Sequence, residues 1–103
     1  MAELDPIIHQ PVRLRIMATL AQLDDETQIG FTTLRELLGL SDGNLSAHLR
    51  KLEEVGFVSV SKAFVARKPQ TYVRVTGRGR ERFSIHVEAL QALLGQANQG
   101  EKT

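Results

Sequence analysis

Apolar residues recur along the chain in two rhythms, and the points where the rhythm changes mark the elements. From Pro11 to Leu23 the spacing is helical. At about 100° per residue, Val12, Ile16, Leu20 and Leu23 share one face, with Thr19 among them, and Leu14, Met17, Ala18 and Ala21 share the opposite one. Thr19 is tolerated there because its hydroxyl can bond back to the preceding turn. Pro11 suits the first helical position, where its missing N–H is not needed. The acidic run Asp24-Asp25-Glu26 ends this helix, Gly30 marks a turn, and Ile29 with Phe31 predicts a very short strand. Thr33 followed by Glu36 is a capping box that predicts the start of a short second helix, stopped by Gly39. Leu34, Leu37 and Leu38 would face inward. Ser41 is a good cap for a third helix over residues 42–55, with Leu45, Leu49 and Leu52 on one face and Gly56 at its end.

After Gly56 the period falls to two. Val58 and Val60 alternate with Ser59 and Ser61, as in a strand with one buried face. A basic loop, Ala66-Arg67-Lys68-Pro69-Gln70, leads to a returning strand over residues 71–75. In that strand Val73 and Val75 face the core, and Tyr72 and Arg74 face out. Thr76 caps a last helix over residues 77–94, with Phe83, Val87, Leu90 and Leu94 on one stripe and Ile85, Ala89 and Ala92 on another. The order is α-β-α-α-β-β-α, mainly α with a small β-hairpin. A short helix, a tight turn and a longer helix form a helix-turn-helix, and the hairpin after it is a wing. The 103 residues make one domain with a core over about residues 5–94, and residues 95–103 read as a flexible tail.

Composition removes whole classes of function. With no cysteine there is no disulfide, thiolate zinc site or iron–sulfur cluster. No apolar run approaches the length of a membrane span, and the acids and proline of the first ten residues argue against a signal peptide, so the expected location is cytoplasmic. The three histidines form no zinc-protease pattern and no serine sits in a nucleophile elbow, so the chain reads as a non-enzyme without cofactor or metal. Gly77 and Gly79 form a GxG too common to mark a phosphate loop. Net charge is only +1, but it is unevenly spread. From Ser41 to Arg82 there are nine basic residues against four acids, and elsewhere four against eight. A basic half joined to an acidic half points to a surface for a polyanion.

The stretch LRELLGLSDGNLSAHLRKLEEVGFVSV, Leu34 to Val60, and PQTYVRVTGRGRERF, Pro69 to Phe83, resemble the winged helix-turn-helix transcriptional regulators of the MarR and ArsR type, in particular their small stand-alone members. The resemblance covers about residues 5–94. It implies a prokaryotic homodimer that binds a pseudo-palindromic double-stranded DNA operator, dimerising through its first and last helices. The spare faces agree with that, and they nominate Leu14, Met17, Ala18, Ala21, Ile85, Ala89, Ala92 and Leu93 for the dimer interface.

In a helix-turn-helix the N-terminal part of the second helix reaches base edges. Gly43, Ser46 and Ala47 are small enough for close approach. Asn44 can pair bidentately with adenine and Arg50 with guanine, Ser46 can donate to a base or a phosphate, Lys51 suits phosphate, and Ser41 is a further candidate DNA contact. The wing adds Lys62, Arg67 and Lys68, with Tyr72 and Arg74 on its return strand, and Arg78 opens the last helix beside Arg80 and Arg82. Positive charge at a helix start opposes the macrodipole, which points to an external anion. The alternative is a winged helix that binds another protein, and an RNA-binding winged helix ranks last because no aromatic pair projects from the wing. Repression or activation, the operator and any effector are not legible.

Overall fold

The first helical rhythm becomes α1, Pro11–Ala21, in a computed structural model that describes the backbone of residues 3–101 and side chains as far as Gln96. Pro11 opens the helix, and the Gln10 side chain caps it by accepting the Arg13 N–H at 2.8 Å. α1 stops two residues before the expected Leu23. Its last carbonyls turn to a partner from another helix, described below. The strand β1 is only Ile29–Gly30, and α2 runs Phe31–Leu38. Phe31 is therefore helical rather than extended. Gly30, not Thr33, is the N-cap, and no side chain caps this helix. The capping box does not form because pairing of Gly30 with Tyr72 delivers the chain into the helix two residues earlier. Leu34 and Leu38 are buried, but Leu37, on the edge of that face, is 63% exposed rather than inward. Gly39 closes α2 in the left-handed region at φ 66°, where glycine is favoured.

The third helix α3 is Asp42–Glu54, capped by Ser41 as expected. The strands β2, Val58–Val65, and β3, Lys68–Val75, pair antiparallel, and β3 also pairs with β1, giving the order β1-β3-β2. Pro69 is accommodated because β1 pairs only with Tyr72 and Val73, leaving that side of β3 free at residue 69. The last helix α4, Gly77–Glu101, passes its expected end at Leu94, so the predicted tail is helical backbone to residue 101; residues 102–103 lie outside the described part.

One core joins these elements. Ile16, Met17 and Leu20 of α1 meet Leu34, Leu45 and Leu52 of the helix-turn-helix and Val58 and Val73 of the sheet, all essentially fully buried. Burial of each such side chain contributes roughly 1.5–3 kcal/mol, so this cluster fixes how α3 sits against the sheet. Ile8, just before α1, joins it, ordered by the Asp5 carboxylate accepting the N–H groups of Ile7 and Ile8 at 2.8 and 3.2 Å.

Candidate nucleic-acid interface

α3 presents to solvent the side expected of it. Ser41 Oγ accepts the Asn44 N–H at 3.1 Å, which commits that hydroxyl to the cap. With Leu45, Leu49 and Leu52 turned inward, Gly43, Asn44, Ala47, Arg50 and Lys51 are exposed and Ser46 is half-buried. A Cβ added at Gly43 would meet nothing within 4 Å, so packing does not demand a glycine there.

The sheet continues this surface. Ser46 and Arg50 line one side of an open cleft of about 550 Å³, and the cross-strand pair Lys62 and Thr71 lines the other, with Phe31, Leu49 and Val60 supplying its apolar lining. Two acids also border it, and both are engaged by the chain itself. Asp42 pairs with Arg35 at 3.1 Å, and the Glu53 carboxylate accepts the Val60 N–H at 3.4 Å. Arg50 and Lys62 form no ion pair among the described residues. The cleft is thus a concave wall with two cations outside any ion pair among the described residues, Asp42 neutralised by Arg35, and the Glu53 carboxylate hydrogen-bonded but still charged.

The wing is longer and tighter than the spacing predicts. All of Ser61 to Gln70 is exposed, and β2 and β3 are joined by Ala66 and Arg67 alone. The expected five-residue loop is a two-residue turn because Lys68, Pro69 and Gln70 pair with Val65, Phe64 and Ala63. Both turn residues have positive φ, 52° and 67°. That is the hairpin geometry asparagine and glycine usually supply, and a side chain there costs on the order of 1 kcal/mol per residue. Arg67 is held at the outermost point of the molecule's wing, with Lys68 beside it.

Other nominated residues are not gathered at the cleft. Tyr72 and Arg74 alternate with the core-facing Val73 and Val75, so they lie on the opposite face of the sheet. There Arg74 borders a separate hollow of about 280 Å³ with Asp25 and Glu26. Arg78 stands over the Phe57 ring at 5.8 Å, its stem beside Gly56, where β2 leaves α3. Arg80 corrects the expectation of an external anion for the start of α4. Its Nε lies 2.8 Å from Asp25, and its Nη atoms donate to the carbonyls of Ala21 and Leu23. The anion is internal, and Arg80 caps the end of α1.

The expected spare faces also need correction. Met17 and Ala89 are buried within the chain, because the segment before α1 and the packing of α1 on α4 cover both. Leu14 packs against the core, and Ala18, Ala21 and Ile85 are half-buried. Ala92, Leu93 and Leu94 are exposed where α4 runs beyond the body.

Two of the three histidines, His48 and His86, are built into the fold. His48 Nδ1 is 3.3 Å from Arg13 Nη1, and burial together with that guanidinium lowers its pKa below the ordinary 6.5. His86 is fully buried, and its Nδ1 accepts the Asp5 N–H at 2.9 Å. Burial, reinforced by the neighbouring His9 against a weaker pull from Asp5, lowers its pKa as well. No group of three or more metal-ligating side chains occurs among the described residues, and His9 with His86 makes only a pair. No described helix is long and apolar enough to cross a membrane.

Residues 12–94 match the family model of the winged helix DNA-binding domain. An uncharacterized protein of Methanocaldococcus jannaschii is 40% identical over 86 residues, which is 82% of this chain and 90% of that protein. The solved structure of a transcriptional regulator homologue from Pyrococcus horikoshii OT3 is 33% identical. It superposes with a TM-score of 0.80 over 88% of this chain and 87% of its own. A Thermoplasma acidophilum structure only 19% identical keeps the same fold, with a TM-score of 0.69 over 96% of this chain and 98% of its own.

Proposed function

The chain belongs to the winged helix DNA-binding domain family of transcriptional regulators, and from that premise we propose how it binds. It acts as a homodimer on a pseudo-palindromic duplex operator, in the manner of the small MarR- and ArsR-like regulators, in the cytoplasm. α3 enters the major groove, with Asn44, Ser46 and Arg50 toward base edges and Gly43 and Ala47 permitting close approach. Lys51, Lys62, Arg67 and Lys68 follow the phosphate backbone and the neighbouring minor groove. Arg78, at the foot of the wing, takes a phosphate from its seat over Phe57. Arg74 and Tyr72, on the far face of the sheet, contribute less.

The observation that carries this reading is the shared cleft. The fold brings Ser46 and Arg50 of α3 opposite Lys62 of the wing and pairs Asp42 with Arg35, which leaves two cations against the single carboxylate of Glu53 on a concave surface. The dimer contact uses the exposed apolar end of α4 around Ala92 and Leu93, with the half-buried Ala18, Ala21 and Ile85 as further contacts and Met17 and Ala89 withdrawn from it.

Sedimentation of the protein with labelled mixed-sequence duplex at low and moderate salt tests the proposal. A dimer that binds duplex in preference to single strands and RNA, and that loses affinity about tenfold or more on Arg50→Ala, supports it. A chain that ignores duplex at low salt contradicts it and favours the protein-binding alternative.

A further inference from the structure

The wing carries an apolar tip that base reading and phosphate contact leave unused. Phe64 is 80% exposed and Val65 is 48% exposed, at the end of a strand whose other large apolar residues are in the core. Phe64 is two and four residues beyond Lys62 and Val60, so it shares their face of the sheet, the face that lines the cleft with Ser46 and Arg50. Its cross-strand partner is Pro69, so no polar side chain stands directly opposite it.

We propose that Phe64 is a wedge that enters the minor groove beside the α3 site and partly unstacks a base step there. This rests on the DNA-binding reading above and extends it by naming an apolar contact. Three observations select a nucleic acid as the occupant rather than a second copy or an apolar protein groove. First, the surroundings are cationic: Ser61 to Thr76 contains Lys62, Arg67, Lys68 and Arg74 and no acid. Second, the reach fits. Val60 lies against α3, and the four residues from there to Phe64 span about 13 Å along the strand. Half a turn of duplex, the step from a major groove to the next minor groove, is about 17 Å, and the few ångströms left over are within the length of the Phe64 side chain. Third, the tip is rigid. The strand pairing is continuous to Val65 and Lys68, and the connection is two residues, so the ring is delivered by a closed hairpin and not by a loose loop. Apolar side chains on minor-groove proteins insert in this way, and flexible pyrimidine–purine steps yield most easily.

The chain has no tryptophan, so Phe64→Trp creates a single reporter at the tip. The probe is a mixed-sequence duplex of roughly three helical turns containing TA and CA steps, at low salt. The expected result is strong quenching of the indole and its protection from iodide when duplex is added. Ala63→Trp, on the other face of the same strand, is expected to stay unquenched and accessible. Phe64→Ala is expected to lose affinity about tenfold with an unchanged salt dependence, because a stacking contact is lost and no charge is removed. Phe64 is exposed, so this variant keeps its fold. An accessible, unquenched indole on a duplex that the unsubstituted protein binds overturns the wedge alone. So does a Phe64→Ala variant of undiminished affinity, or an indole already shielded by a second copy without DNA. Failure of the unsubstituted protein to bind duplex overturns the DNA-binding reading and the wedge with it.

Discussion

Gly79→Ala should destabilise this protein, although the same change in a helix usually stabilises it by about 1 kcal/mol. Gly79 is the third residue of α4 and packs on the turn where α3 hands over to β2. A Cβ there would lie 2.1 Å from the Phe57 carbonyl oxygen, 2.9 Å from its carbon and 3.0 Å from a Val75 methyl. An ordinary carbon–oxygen contact is about 3.3 Å, so the start of α4 must move by about 1 Å. The two nearest of these atoms are backbone and cannot rotate away. Three hydrogen bonds share that junction. The Thr76 N–H donates to Phe57 O at 3.0 Å, its hydroxyl donates to Gly56 O at 2.6 Å, and the same hydroxyl accepts the Gly79 N–H at 3.0 Å. Overpacking costs roughly 1–3 kcal/mol and each weakened hydrogen bond about 0.5–1.5 kcal/mol. Set against the propensity gain, the net loss is about 2–4 kcal/mol. Urea denaturation of Gly79→Ala beside Gly77→Ala measures it. A Cβ at Gly77 meets nothing within 4 Å, so that variant should be unchanged or slightly more stable. Equal, neutral or stabilising effects at both positions would refute the reasoning.

Arg80→Ala should cost about 2–4 kcal/mol, because it strips the carbonyls of Ala21 and Leu23 of their donor, whereas Asp25→Ala should cost less than about 1 kcal/mol. The contrast follows from exposure, 26% for the Arg80 side chain against 84% for Asp25, and equal losses in thermal or urea melts would contradict it. Stability should also fall in mild acid. His48 and His86 both have folded pKa values below the ordinary 6.5, so the unfolded chain binds more protons between those values; the stabilisation is complete above about pH 6.5 and is lost as pH falls through that value toward the folded ones. Urea midpoints followed downward from about pH 7.5 should show this, with a flatter profile for His86→Phe, and a profile that rises toward acid would be inconsistent with it.

The elements that carry a full apolar period were legible in the sequence. α3, with Leu45, Leu49 and Leu52 inward and Ser41 as cap, stands where its pattern puts it, and so do Val73 and Val75. What failed was local chemistry overruled by tertiary contacts. Thr33 and Glu36 have the right spacing for a cap, but a two-residue strand pairing starts α2 at Phe31. Arg80 reads as a free cation because its partners, Asp25 and the end of α1, are more than fifty residues away. Gly79 reads as half of a weak phosphate motif, and only the position of Phe57 O shows why the residue has no side chain. Met17 looks spare on a helical wheel because the wheel cannot show Ile8 and α4 folding over it. Phe64 is not legible as a surface residue because alternation continues the Val58–Val60 face toward it without showing that the core ends first.

The most direct test of the central claim is the salt dependence of duplex binding. Affinity for a mixed-sequence duplex should be measured over a range of salt, with the oligomeric state recorded in the same experiment. If each protomer of a dimer makes about four phosphate contacts, log affinity should fall with log salt at a slope on the order of −7. A slope near zero, or no binding at low salt, would contradict an account in which α3 and the basic wing face DNA.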